Sequence, residues 1–194
     1  MNDPIIGRSP ELMSPDDTAL LVVDVQEKLI PLVPEHKRLV WNIRRLLDGA
    51  KALGVPALVT EQYPQGLGGT VAELAQRLPT PAPSKVAFSC AACASAMEAL
   101  AATGAHRVLL AGIESHVCVQ QTALDLIAAG YRVYLAVDAM GARHATDHDT
   151  ALRRLELSGA VLTTTEAALF EWCREAGTPQ FKEVSRLVRE TPPL

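Results

Sequence analysis

The 194-residue sequence has no run of lysine or arginine, and its formal net charge is -4. The basic face of a nucleic-acid binder is therefore missing. No apolar stretch is long enough to span a bilayer. The polar start, Met1 to Pro10, lacks the charged and apolar regions of a secretion signal. A cytoplasmic protein with no membrane or nucleic-acid partner is expected. Cysteine is scarce, limited to Cys90, Cys93, Cys118 and Cys173. Without a secretion signal a disulfide framework is not expected. Each thiol is then apolar filler, metal ligand or reactive group. Low-complexity segments and shifts of composition are absent. One domain over 1–194 is expected, with a core at about 18–175 and a last helix at about 179–190.

Hydrophobic residues make up 48% of the chain and charged residues 21%, enough to bury a substantial core. Those residues recur in one unit: a short apolar strand, a turn, an amphipathic helix, then glycine. The run Ala19 to Val23 ends at Asp24, and a helical face of Val40, Ile43, Leu46, Leu47, Ala50 and Leu53 stops at Gly54. Further strands are read at Ala57 to Val59, Val108 to Ala111, Val133 to Val137 and Val161 to Thr164. Helices are read around Met97 to Ala101, from Cys118 to Ile127, and over Asp147 to Leu157. Strands that are apolar throughout belong in parallel sheets covered on both faces. Strand and helix alternate, so right-handed crossovers follow. The pattern predicts a three-layer α/β/α sandwich with a mostly parallel, Rossmann-like sheet. Tyr63 to Gly69 reads as a mobile loop and Pro79 to Pro83 as a stiff linker.

Ligands of such sheets sit at the carboxyl ends of strands, where the strand order reverses. That rule selects Asp24, after the first strand, and the segment Glu114 to Cys118, after VLLAGI. A cysteine at a helix start gains thiolate stabilisation from the unpaired amides and the helix dipole. The same amides can hold an oxyanion, and a neighbouring carboxylate can accept and return a proton. Cys118 packing under the helix, with Asp24 capping a turn or pairing with a lysine, is the alternative left open by position alone. Lys85, in SKVAFSC, reads on pattern as a surface lysine; near Cys118 it would help ionise the thiol.

These segments resemble the isochorismatase-like cysteine hydrolases. The likeness runs from about Thr18 to Arg189 and rests on LLVVDVQEKL, TEQYPQGLG, KVAFSC, LLAGIESHVCVQQTALDL, GYRVYLAVDAMGAR and PQFKEVSRLV. It implies a triad of Asp24, Lys85 and Cys118, and a cis peptide at Ile113–Glu114 that aims the Glu114 amide beside that of Cys118. Gln26, Tyr63 and Phe88 are expected to border a pocket for a small molecule. The resemblance also implies a homo-oligomer, a dimer or tetramer. Nicotinamidases of this superfamily hold a metal through an aspartate and histidines after the second strand. Here that stretch reads Thr60, Glu61, Gln62, Tyr63, Pro64, so no metal and no other cofactor is expected. Hydrolysis of an amide, carbamoyl or related C–N bond through a thioester is the implied activity. Isochorismate-type vinyl ether hydrolysis, or a non-catalytic interaction role, is the alternative.

Other signals are weaker. Cys90 and Cys93 form a CxxC without a second ligand pair. His144 and His148 stand four apart but read as a solvated helix start. His116 borders the Cys118 segment without an assigned role.

Overall fold

The protein is described by a computed structural model over residues 7–78 and 81–193. Thr18–Val23 forms β1 and His36–Leu53 the long helix α1. Ala57–Gln62 is β2, followed by two single-turn helices, α2 at Pro64–Leu67 and α3 at Ala72–Ala75. A two-residue strand, β3, at Ser84–Lys85 precedes α4 at Ala94–Ala102 and β4 at Arg107–Ile113. Then come α5 (Gln120–Ala128), β5 (Arg132–Gly141), α6 (Ala145–Leu157), β6 (Val161–Thr163), α7 (Thr165–Cys173) and α8 (Pro179–Val188). All six strands run parallel in the order β3-β2-β1-β4-β5-β6.

The apolar runs explain the layers. Successive residues of β1 point to opposite sides. Leu20 and Val22 join one core with Ile43, Leu46, Leu169 and Val184 from α1, α7 and α8. Ala19, Leu21 and Val23 join the other with Leu100, Ala123, Leu126 and Leu155 from α4, α5 and α6. The whole strand is buried, which is why its sequence shows no polar alternation. The last helix packs its Val184 into the first of these cores and buries Leu187 against α1 near Gly49.

Strand order reverses between β1 and β4. The first three strands step outward one way from β1, and the last three step outward the other way from β4. There Val23 lies in register with both Thr60 and Gly112. Gly112 is held at φ 119°, and a Cβ on it would lie 2.1 Å from the Val23 carbonyl oxygen. Only glycine lets β1 and β4 approach this closely.

Three sequence expectations change. Tyr63 to Gly69 is a tied-down turn rather than a mobile loop. It contains α2, and the Glu27 and Lys28 amides donate to the Gly69 and Leu67 carbonyls, each at 3.0 Å. Cys118 does not open α5; it sits in a π-helical turn at Ser115–Val119, and α5 begins at Gln120. Strand β2 extends to Gln62, beyond the apolar residues, because its last residues pair with β3. Pro79 and Thr80 of the expected linker lie outside the described residues.

Candidate active site

Asp24 follows β1 directly, in the left-handed region at φ 52°. Its amide donates to the Thr60 carbonyl at 3.1 Å, which fixes the turn against β2. The carboxylate is fully buried. Oδ2 accepts from Lys85 Nζ at 2.6 Å and Oδ1 from the Thr60 hydroxyl at 2.8 Å. Lys85 ends β3, so two strands that flank β1 on one side converge on its carboxylate.

Lys85 has no free valence. Besides Asp24, its ammonium donates to Gln62 Oε1 at 3.0 Å and to the Ala87 and Phe88 carbonyls at 3.3 and 2.8 Å. Three N–H bonds thus meet four acceptors. Its side chain is 1% exposed. The surface lysine that the local pattern suggested is a buried ion-pair partner.

Cys118 lies on the other side of the switch point and is 4% exposed. Burial raises its thiol above the usual range, and the negative charge of Asp24 raises it further, while Lys85 opposes them. The helix-terminus argument pointed to a thiolate. Burial and the Asp24 charge push the other way, toward the neutral thiol.

Glu114 follows β4 after a cis Ile113–Glu114 peptide. Its carboxylate accepts from the Arg143 amide and Nε at 3.1 and 3.0 Å. Burial would raise its pKa, but the hydrogen bonds and charge of Arg143 prevail and hold it below the usual carboxylate range. Its carbonyl accepts from the Val117 and Val119 amides at 3.0 and 3.2 Å, which shapes the turn carrying Cys118.

Gln26 does not present its side chain as an open pocket wall. It is fully buried, and its Nε2 donates to the Gln62 and Gly68 carbonyls at 2.9 and 2.6 Å, while Oε1 accepts from the Gln62 amide at 2.7 Å. It staples β2 to the Tyr63–Gly69 turn. Tyr63 and Phe88 are 53% and 52% exposed, and Val86 between Lys85 and Phe88 is 78% exposed. These apolar surfaces flank the buried polar cluster.

Sequence reasoning missed several contributors. Thr60 links Asp24 to Cys90, whose sulfur lies 3.3 Å from the Thr60 oxygen. Because the single Thr60 proton points to the carboxylate, the Cys90 thiol is the donor in that contact. The Cys90 amide donates to Thr122 Oγ at 2.9 Å, one turn beyond Cys118 on α5. Thr60 stands at the carboxyl end of β2, so the strand-end rule could have found it; nothing local marks Cys90. His148 is not merely solvated: its Nδ1 is 2.8 Å from Ser115 Oγ, and burial lowers its pKa. His116 Nε2 lies 3.8 Å from Asp147. All four cysteines are free. Among the described residues no group of three or more His, Cys, Asp or Glu side chains could hold a metal ion, and no helix is long and apolar enough to cross a membrane. A hollow of about 770 Å³ is lined by Trp41, Arg45, Glu166 and Phe170 among others, and not by Asp24, Lys85 or Cys118.

The doubly wound parallel sheet, with Asp24, Lys85 and Cys118 gathered at the carboxyl ends of its strands, is the fold of the isochorismatase-like hydrolases. The comparisons agree. The model of the isochorismatase domain matches residues 18–167, and the chain belongs to the isochorismatase family. It is 41% identical over 190 residues to isochorismatase domain-containing protein 2 of Bos taurus, covering 98% of this chain and 90% of that protein. It is similar to a structure described as the MAR1 ribonuclease of Caenorhabditis elegans, with 38% identity, a TM-score of 0.88 and 94% of each chain covered. It is also similar to the YcaC gene product of Escherichia coli, described as an octameric hydrolase of unknown specificity, with 28% identity and a TM-score of 0.81 over 87% of this chain and 85% of that one.

Proposed function

We propose that this chain is a cysteine hydrolase that cleaves a C–N bond of a small amide or carbamoyl compound. The observation that carries the reading is the buried Lys85–Asp24 pair facing the Cys118 thiol across the switch point. A buried ion pair contributes little net stability on its own, whereas a thiol that must lose its proton needs an acceptor.

In the proposed sequence Asp24 takes the proton from Cys118 as the sulfur attacks the carbonyl carbon. The carbonyl π bond becomes an oxyanion, held by the amides of Glu114 and Cys118. The oxyanion collapses, the C–N bond breaks, and Asp24 returns the proton to the leaving amine. Water then adds to the thioester, Asp24 accepting its proton, and the acid leaves as Cys118 recovers its hydrogen. Lys85 holds the carboxylate in place and offsets the negative charge that builds beside it. No metal enters this scheme. A homo-oligomer also belongs to the proposal, supported by the octamer described for the YcaC relative. The ribonuclease name of the nematode relative finds no support in this chain's -4 net charge and lack of basic runs.

The test is trace iodoacetamide at pH 7 followed by peptide mapping. Cys118 is expected to be alkylated before Cys90, Cys93 and Cys173, and Asp24→Asn to slow it at least about tenfold. Preferential reaction at Cys93 or Cys173, with Cys118 untouched, would overturn the reading.

A further inference from the structure

The hollow of about 770 Å³ is walled by α1, the start of α7 and the chain around the end of α8, and its charges pair incompletely. Arg45 of α1 lines it with a side chain that is only 5% exposed. The guanidinium lies over the Trp41 ring, 4.3 Å from the centroid. Its Nε donates to the Leu187 carbonyl and its Nη1 to Asn42 Oδ1, each at 3.1 Å. A guanidinium carries five N–H bonds. Two are used here, and among the described residues Nη2 makes no hydrogen bond; Glu166 Oε2 stands 4.0 Å from it. Buried donors without acceptors are costly. Three open N–H bonds on the wall of a hollow point to an acceptor that a ligand brings.

Five charged side chains line the hollow: Arg38, Arg45, Asp138, Glu166 and Glu190. Glu190 is occupied, accepting from Arg44, Arg186 and the Trp41 indole. Asp138 gives Oδ1 to the Thr165 amide and hydroxyl at the start of α7, at 2.7 and 3.0 Å. Arg38 is solvated at the rim, with Glu35 at 3.9 Å. Arg45 and Glu166 remain, one cation and one anion facing each other beyond hydrogen-bonding distance. Glu166 is 58% exposed and can turn toward a ligand. A plain anion drawn to Arg45 would be opposed by Glu166, and a plain cation drawn to Glu166 would be opposed by Arg45. A zwitterion satisfies both. Phe170, 41% exposed, and Val188 give the hollow an apolar side. Its volume falls in the ~300–1,000 Å³ of small-molecule sites.

We propose that this hollow binds a free α-amino acid with an apolar side chain, its carboxylate on Arg45, its ammonium on Glu166 and its side chain against Phe170 and Val188. None of these residues belongs to the Asp24, Lys85 and Cys118 cluster, and the binding is independent of the proposed hydrolysis.

The test is calorimetric titration of the whole protein with L-phenylalanine. The controls are 3-phenylpropionate, which lacks the ammonium, and phenethylamine, which lacks the carboxylate. Saturable binding of L-phenylalanine with a millimolar or lower dissociation constant is expected, with each control at least about tenfold weaker. Tryptophan emission should change with it, since Trp41 lines the hollow. Glu166→Gln alters an exposed side chain and leaves the core intact. It should weaken the amino acid about tenfold and strengthen 3-phenylpropionate, so that the two converge. No saturable binding, equal affinity for all three compounds, or an amino-acid affinity unchanged in Glu166→Gln would overturn the proposal. Binding that disappears in Cys118→Ala would place the ligand at the hydrolase site and overturn it as well.

Discussion

Lys85→Met gives the sharpest test of how the polar cluster is held together. The substitution keeps an unbranched chain of similar length and removes the charge and all three N–H bonds. Asp24 is then left fully buried, with Thr60 Oγ as its remaining side-chain donor. Stranding one member of a buried ion pair costs about 3–5 kcal/mol, a large part of the ~5–15 kcal/mol that holds a typical domain. The Ala87 and Phe88 carbonyls and Gln62 Oε1 also lose their donor. Urea unfolding at pH 7, followed by tryptophan fluorescence, should show that loss as a lower midpoint with an unchanged slope. The double variant Asp24→Leu with Lys85→Met removes both charges and should recover much of the stability, since apolar replacement of a buried pair is often neutral or better. It should also abolish Cys118 reactivity. A Lys85→Met protein within about 1 kcal/mol of the parent would refute the claim that this pair is buried and mutually dependent.

Further outcomes follow from neighbouring residues. Thr60→Val removes the hydroxyl that fixes Asp24 Oδ1 and should slow Cys118 alkylation by about tenfold, with Thr60→Ser restoring most of the rate; stopped-time peptide mapping checks both. Gln26→Leu unpins the Tyr63–Gly69 turn and should cost about 1–3 kcal/mol in urea unfolding, with faster limited proteolysis at that turn. Gly112→Ala drives a methyl into the Val23 backbone at φ 119° and should cost about 2–4 kcal/mol or prevent folding, read as a loss of melting temperature. The Glu114 carboxyl titrates below its unfolded value because of Arg143, so its contribution is present above the unfolded pKa, about 4.3, and is lost as pH falls through the lower folded value. Glu114→Gln should therefore flatten the acid limb of the stability profile.

Much of this arrangement was legible in the residues. The apolar runs gave the strands, because β1, β4 and β5 are buried on both faces and need no polar alternation. Asp24 and Cys118 followed from the rule that ligands gather at strand carboxyl ends. Lys85 did not follow. Its burial depends on β3 pairing with β2, and a two-residue strand leaves no periodic trace. Gln26 misled for the opposite reason: a polar residue next to a candidate acid looks like a ligand contact, while its amide is engaged on backbone groups 36 and 42 residues away in sequence. Glycines made Tyr63 to Gly69 look mobile, yet Gly68 at φ 79° closes α2 rather than loosening it. The upward push on the Cys118 thiol was hidden as well, since burial and the Asp24 charge belong to the folded molecule and not to the local segment.

The most direct test of the account is a search for the acyl-enzyme. A panel of small amides and carbamoyl compounds is screened for ammonia release. Any compound turned over is then mixed with enzyme, quenched in acid and mapped by mass spectrometry. The account predicts an acyl mass increment on the peptide carrying Cys118, its loss in Cys118→Ala, and no turnover by that variant. Full turnover by Cys118→Ala, or an increment on any other residue, would contradict it.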